Sequence, residues 1–153
     1  MLKKKFYFRN PYSNDSDIIF KWSNEPYVRN NSFSKKKISK QEHHNWFKNH
    51  VGKKEKIYIF CSNNYLIGLI RFKKFYRGIK ISYLISRKFR GKGYGKIMLK
   101  LFVKKIRNSK FYKKKIIYAF VFKKNIASSL VLLKAGFLYN GLKYKSHCYT
   151  NVK

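Results

Sequence analysis

The sharpest chemistry in this chain lies in Ser86-Arg87-Lys88-Phe89-Arg90-Gly91-Lys92-Gly93-Tyr94-Gly95-Lys96. Glycines at alternate positions let successive backbone N–H groups converge, and a helix pattern that follows adds the positive end of its dipole. The stretch therefore reads as a pyrophosphate cradle. It is neither of two common phosphate loops: the Walker pattern lacks its Lys-Ser/Thr pair at the required spacing, and the glycines run x-Gly-x-Gly where a dinucleotide loop has Gly-x-Gly-x-x-Gly. A turn that only caps a helix is the plain alternative. Acid–base chemistry has little to draw on, because the carboxylates are Asp15, Asp17, Glu25, Glu42 and Glu55. Cys61 and Cys148 show no metal-ligand spacing, so reduced thiols and no metal site are expected, as suits a cytoplasmic protein.

The elements that must position this loop follow from periodicity. Residues 3–9 read as a strand closed by Asn10-Pro11, and Ser13 to Asp17 offer caps to a helix carrying Ile18, Ile19 and Trp22. Ser39-Lys40-Gln41-Glu42 has the form of a capping box and opens a second helix through Trp46, Phe47 and Val51. Between them, roughly 24–38 is a long basic loop of the kind that is functional in compact domains. Three strand-like runs follow, Lys56–Cys61, Tyr65–Phe72 and Ile79–Ile85, joined by Ser62-Asn63-Asn64 and a Lys73–Gly78 link into an antiparallel meander. The Gly-rich loop leads into a helix with Ile97, Met98, Leu101, Phe102 and Ile106 on one face. Ile116 to Phe122 is a central strand, Asn125 opens a last helix stopped by Gly136, and strands at 137–142 and 145–150 complete the chain. The order β-α-α-β-β-β-α-β-α-β-β predicts an α+β fold with a mixed, mostly antiparallel sheet flanked by helices, in a single domain over 1–153.

Composition bounds the partners. The 153 residues hold 38 Lys+Arg against 5 Asp+Glu, a formal charge of +33. Such a field draws polyanions, so nucleic acid, acidic membrane and phosphorylated small molecules are all admissible. Of the basic residues 31 are Lys and 7 are Arg, while Ile, Asn, Phe and Tyr abound and Ala occurs three times, a bias that an AT-rich genome imposes without selection for phosphate contact. With 44% hydrophobic and 19% aromatic residues the chain can fill a core, which excludes a disordered protein. No apolar run approaches the length of a membrane span, and the basic start does not continue into a signal-peptide core.

The loop resembles that of the GNAT superfamily of acyl-CoA N-acyltransferases, whose Arg/Gln-x-x-Gly-x-Gly/Ala pattern is met by Arg90-Gly91-Lys92-Gly93-Tyr94-Gly95. A second hallmark, Asn followed about eleven residues later by Gly-Phe, is met by Asn125 and Gly136-Phe137. The resemblance spans essentially the whole chain and implies acetyl-CoA as co-substrate. It implies that backbone groups of Leu84, Ile85 and Ser86 pair with pantetheine and that the amides of Arg90, Gly91, Lys92, Gly93, Tyr94 and Gly95 hold the CoA pyrophosphate. Asn125 would contact the pantetheine arm and Lys134 a phosphate, although Asn125 also reads as an N-cap and Lys134 as an answer to the helix dipole.

Trp22-Ser23-Asn24-Glu25-Pro26-Tyr27-Val28-Arg29, Ser32-Phe33, Ile38-Ser39, Glu42-His43 and Trp46-Phe47 resemble the branch that acetylates nucleotide-linked amino sugars in pseudaminic acid biosynthesis for flagellin glycosylation. That likeness implies an acceptor pocket in which Arg29 faces a diphosphate, Phe33 and Trp46 offer apolar or stacking surface, and His43 donates a hydrogen bond. The ordinary readings are Trp46 as helix core, His43 as an exposed helix residue and Arg29 as solvated.

Transfer needs a neutral amine, an oxyanion donor and a proton for the thiolate. The backbone N–H of Leu84 or Ile85 is the expected donor. With Asp15, Asp17 and Glu42 read as helix caps, a water relayed through Ser82 and His43 is expected to take the amine's proton. Many GNAT enzymes place Tyr four residues before the Gly of Gly-Phe, where this chain has Leu132, which leaves Tyr139 and Tyr83 as candidate acids. The expected activity is transfer of acetyl to a primary amine of a UDP-4-amino-sugar. The alternatives are a protein N-terminal amine, as in ribosomal-protein acetyltransferases, and a basic nucleic-acid-binding protein without catalysis. Expected partners are acetyl-CoA and an amino sugar nucleotide, with nucleic acid held only through net charge and a homodimer admissible.

Overall fold

Period-two alternation over residues 56–85 folds three strands into a meander. In the computed structural model, which describes residues 5–52 and 55–152, these are β2 (Lys56–Ser62), β3 (Tyr65–Phe75) and β4 (Gly78–Ile85). β1 (Phe6–Arg9) pairs antiparallel with β2. β5 (Ile116–Val121) lies parallel to β4, and β7 (Ser146–Asn151) joins β5 to β6 (Leu138–Lys143), giving one seven-stranded sheet in the order β1-β2-β3-β4-β5-β7-β6. The helices are α1 (Ser16–Ser23), α2 (Pro26–Asn30), α3 (Lys40–His50), α4 (Tyr94–Arg107) and α5 (Ile126–Lys134). The α+β mixed sheet expected from the sequence is the one observed. No helix among the described residues is long and apolar enough to cross a membrane.

Three elements differ from the sequence reading. The long basic loop contains α2, started by Pro26, whose fixed φ suits a first helical turn. β3 runs on to Phe75, because Lys73 and Lys74 pair with Lys80 and Ile79 and alternate across the sheet instead of forming a link. The connection to β4 is then the two-residue turn Tyr76-Arg77, with Tyr76 at φ 46°. Of the expected first strand, residues 3 and 4 lie outside the described residues.

Each sheet face has its own core. On one face α4 inserts Met98, Leu99, Phe102 and Ile106 between Phe60, Ile70, Phe72, Ile81 and Ile117, and α5 adds Leu132. Burial of each such side chain contributes about 1.5–3 kcal/mol. On the other face α1 and α3 cover only the β2–β3 half, through Ile19, Trp22, Ile59, Cys61 and Leu69. The β4–β5 half of that face stays open except where Leu84 meets the α1–α3 cluster and Phe33 lies over Lys80 and against Phe122. Both Cys61 and Cys148 are free and buried.

Two polar contacts hold α1 in place. Arg9 grips Asp15 with both terminal nitrogens, at 2.6 and 2.8 Å, and Tyr12 N–H donates to the same carboxylate. Asp15 therefore ties β1 to the start of α1 and is not a side-chain cap of that helix, as the sequence had suggested. The Arg9 guanidinium holds its carboxyl below the usual range. His43 also departs from expectation. The Ser39–Glu42 capping box sets the start of α3 so that His43, Trp46 and Phe47 share a face, and that face meets α1. His43 is buried, its Nε2–H donates to the Ser16 carbonyl at 2.9 Å, and the rings of Phe20, Trp46 and Phe47 enclose it. It fastens α3 to α1, so the ring expected as a proton relay and acceptor ligand is here enclosed between the two helices.

Asp15→Asn should lower unfolding free energy by about 2 kcal/mol, because a charge-assisted bidentate pair is lost and Arg9 keeps its desolvation cost; urea denaturation measures this. Burial pushes the His43 pKa below its ordinary value of about 6.5. The unfolded chain thus takes up this proton first, so stability present above about pH 6.5 is lost as pH falls through 6.5 toward the folded value. The thermal midpoint should drop between pH 7 and pH 5, and the drop should shrink in His43→Gln, whose amide cannot charge. An equal drop in both proteins would place the titrating group elsewhere.

Candidate active site

The site forms where β4 leaves β5. The parallel pairing runs from Gly78↔Ile116 to Ile81↔Ala119 and then stops, while β4 continues to pair with β3 as far as Gly68↔Ile85. Two glycines set this geometry by close approach. A Cβ at Gly78 would collide with the Ile116 carbonyl, and one at Gly68 with the Leu84 carbonyl, so β4 is drawn to β5 at its start and to β3 at its end. Ser86 N–H donates to the Ile67 carbonyl at 2.9 Å, and backbone groups alternate along a strand. Leu84 therefore turns its backbone groups to β3, and Ser86 gives its N–H to β3 while its carbonyl accepts from Phe89 N–H at 2.9 Å, where the sequence reading expected both at pantetheine. The N–H groups of Tyr83 and Ile85 turn to the gap side, and the Ile85 carbonyl is taken by Arg90.

The Gly-rich loop borders the same gap. Gly91 and Gly93 have φ of 73° and 79°, in the left-handed region that L-residues with a Cβ rarely adopt, and Gly93 is the N-cap of α4. The first turn of α4, at Tyr94, Gly95 and Lys96, lines the cleft, which sets the positive end of the helix dipole beside it. A cleft of about 490 Å³ runs from this loop between β4 and α5. Leu84, Ile85, Arg90, Gly91, Gly93, Tyr94, Gly95, Asn125 and Lys134 line it, as the sequence placed them, whereas buried Ser86 and exposed Lys92 do not. Asn125 also caps α5, its Oδ1 accepting from Ser128 N–H at 3.1 Å. This cradle and the row of strand-edge amides fit the pyrophosphate and the amide-bearing arm of CoA.

Arg90 links the loop to its surroundings. Its Nε donates to the Ile85 carbonyl at 2.8 Å, its guanidinium lies 4.7 Å from the Tyr27 ring centre, and a terminal nitrogen comes within 2.6 Å of Glu25 Oε2. That nitrogen is buried and its N–H is not aimed at the oxygen, so the contact is an ion pair without an aligned hydrogen bond.

The acceptor residues named from the sequence are dispersed. Arg29 spends its guanidinium on carbonyls of Ser23, Ser34 and Lys36 and on Ser32 Oγ, folding its own loop instead of facing a diphosphate. Asn24 reinforces that loop through two hydrogen bonds to Ile38. Phe33 is exposed and stacks near Phe122, and Trp46 stands at the edge of the open sheet face with Arg71 over its ring. Ser82 opens on the face opposite the cleft, its Oγ accepting from Arg71 Nε at 2.7 Å. Tyr139 is half exposed against Tyr149 and His147, away from the cleft, and Leu132 is fully buried in the core.

Sequence reading missed Asn31 and gave no individual role to Tyr27, Val28 and Ser32 of the segment expected at an acceptor pocket; all four line the cleft from α2 and its end. Their i, i+4 spacing was the signal, hidden because the segment looked like loop. Tyr83 also lines it: its hydroxyl meets Ser128 Oγ at 2.7 Å, and burial pushes the phenol pKa up to about 12, so it stays protonated.

Comparison with known proteins identifies this arrangement. Residues 5–138 match the model for the acetyltransferase (GNAT) domain. No curated protein sequence matches. Among solved structures the chain is similar to a domain from Methanocaldococcus jannaschii (TM-score 0.85, 19% identity, 99% of this chain and 100% of that one). It is also similar to spermidine N-acetyltransferase from Vibrio cholerae, solved with CoA and spermine (TM-score 0.79, 16% identity, 95% and 92% covered). A third likeness is to the aminoglycoside acetyltransferase AAC(6')-Ib in complex with coenzyme A (TM-score 0.84, 14% identity, 97% and 95% covered). With its strand gap, Gly-rich cradle and family match over most of its length, the chain belongs to the GNAT acetyltransferase domain family, an N-acetyltransferase that takes acetyl-CoA as co-substrate.

Proposed function

We propose that the acceptor is a primary amine on an anionic molecule, a nucleotide-linked amino sugar of the UDP-4-amino-sugar kind. The observation that carries this is the charge of the open face beside the gap. Arg71, Lys73 and Lys80 project there from β3 and β4. Of the five carboxylates Glu55 alone reaches one of them, 4.0 Å from Lys73 Nζ, which leaves Arg71 and Lys80 without a carboxylate: Asp15 is held by Arg9, Glu25 lies against Arg90, Glu42 caps α3 and Asp17 is in the first turn of α1. Spermidine and aminoglycosides, named for the similar structures, are polycations and would meet like charge here. An acceptor carrying phosphates is drawn to the same surface.

The chain's own groups divide the work. The amides of Gly91, Gly93, Tyr94 and Gly95, with Lys134, would hold the CoA pyrophosphate, and Asn125 would meet the pantetheine arm, a reading supported by their shared cleft. Acetyl-CoA supplies the activated acyl group. The Tyr83 and Ile85 N–H groups face the gap as donors for a developing oxyanion. Arg71, Lys73 and Lys80 disfavour an ammonium nearby and so lower the amine's pKa, which lets water near Ser82 accept its proton. Tyr83, protonated and oriented by Ser128, is the group placed to hydrogen-bond the departing thiolate.

Thiol release should accelerate with acetyl-CoA and a UDP-4-amino-sugar and stay near background with spermidine or an N-terminal peptide; release with the peptide alone would overturn the sugar reading. Gly93→Asp puts a carboxylate into the cradle and should abolish the rise in thermal midpoint that acetyl-CoA causes, while Gly93→Ala costs about 1 kcal/mol of stability and keeps that rise. Tyr83→Phe should lower kcat about 100-fold with acetyl-CoA protection retained; an unchanged kcat would remove Tyr83 from the reaction.

A further inference from the structure

On the open sheet face, away from the Gly-rich loop, the tips of two hairpins meet. The β3–β4 turn brings Tyr76 and the β6–β7 turn brings Tyr144 and Lys145, all with left-handed backbone at φ 46°, 52° and 59°. Such φ values are uncommon for residues with bulky side chains. The two tyrosine hydroxyls lie 2.5 Å apart, closing one wall of a cavity of about 370 Å³. Phe75, Tyr118 and Phe120 make the rest of the wall, with ring centres of Phe75 at 5.3 Å from Tyr118 and 5.5 Å from Phe120. Arg77 and Lys143 are the charged residues of the lining, and both are cations.

The cup continues into the face described above. Lys80 Nζ lies 4.9 Å from the Phe120 ring centre and 5.8 Å from that of Phe75, so two walls of the cup are also the bed of this ammonium. Burial, together with Lys73 and Arg71, weakens the hold of Lys80 on its proton. A phosphate beside it would relieve that cost. Along β4, Gly78 at the cup is five residues from Tyr83 at the gap, roughly 17 Å at the rise of an extended strand. Aromatic cup, cations and strand gap thus lie in one row, in the order base, diphosphate, sugar amine.

We infer that the cup between the β3–β4 and β6–β7 hairpin tips binds the base of a nucleoside diphosphate, with Lys80 at its phosphates. This rests on the reading that the acceptor is nucleotide-linked, and it assigns the nucleotide half to a surface outside the CoA cleft. A single walled cup favours one base over a single-stranded nucleic acid, which is held by successive stacking platforms along a groove.

UDP alone is the probe, titrated by calorimetry so that no turnover is needed. Tyr144 and Tyr76 are 64% and 70% exposed, so Tyr144→Ala and Tyr76→Ala should fold. The thermal rise given by acetyl-CoA checks that each variant is intact. UDP should bind the native chain, and each tyrosine variant should weaken it about tenfold. Lys80→Met should weaken both UDP and inorganic pyrophosphate, whereas Tyr144→Ala should leave pyrophosphate binding unchanged. UDP affinity that is equal in native and variant chains overturns the site, as does no UDP binding by a chain that acetylates a UDP-4-amino-sugar. Tyrosine-dependent UDP binding without transfer to that sugar supports the cup and rejects the acceptor reading instead. Binding of oligothymidylate far tighter than UDP, lost in the same variants and falling steeply with salt, assigns the surface to nucleic acid and overturns the proposal.

Discussion

One strand cannot stay paired to two diverging neighbours, and the rest of this site depends on how β4 resolves that. Gly78 lets β4 approach the Ile116 carbonyl at its start, and Gly68 lets β3 approach the Leu84 carbonyl at its end. β4 therefore leaves β5 after Ile81, and the backbone N–H groups of Tyr83 and Ile85 are released from the ladder while Arg90 takes the Ile85 carbonyl. Unpaired buried amides are costly, so a strand edge opened this way is a standing site for an amide-bearing ligand. The Gly-rich loop must then start α4 beside that edge, which the positive φ of Gly91 and Gly93 permits.

The same divergence separates two surfaces. Tyr83 and Ser82 are adjacent in sequence, yet one reaches Ser128 on α5 and the other meets Arg71 on the opposite face. Donor and acceptor thus approach one gap from two sides. On the acceptor side, α1 and α3 cover half of the sheet and reach Leu84 of β4, while the loop fastened by Arg29 and Asn24 lays Phe33 over Lys80 and against Phe122, so β4 and β5 are covered only in part. Arg90 couples the sides, holding the Ile85 carbonyl while it contacts Glu25 and Tyr27.

Much of the fold was legible in the residues. Apolar periodicity marked the sheet strands and α1, α3, α4 and α5, since burial on one face leaves a period that survives in the sequence. The Gly-rich loop was legible because left-handed backbone and close approach both select glycine. α2 was hidden, being one short turn in a basic stretch with no buried side chain of its own. The end of β3 was hidden because Lys73 and Lys74 look like loop, although a strand whose face opens to solvent carries lysine as readily as a turn does.

Sequence alone determined the order of the strands and of α1, α3, α4 and α5, the Gly-rich turn before α4 and the shortage of carboxylates, because each depends on local backbone preference or on counting. Only the tertiary structure decided what each polar side chain does. His43 and Arg29 have the chemistry of site residues, but packing turned one toward the Ser16 carbonyl and the other toward its own loop. Conversely, Lys80 and the tyrosines at the hairpin tips look ordinary in the chain, and Tyr83 stood there only as one of two candidate acids. Tyr83 and Tyr76 gain their settings through Ser128 and Tyr144, 45 and 68 residues away, and such contacts leave no local period to read.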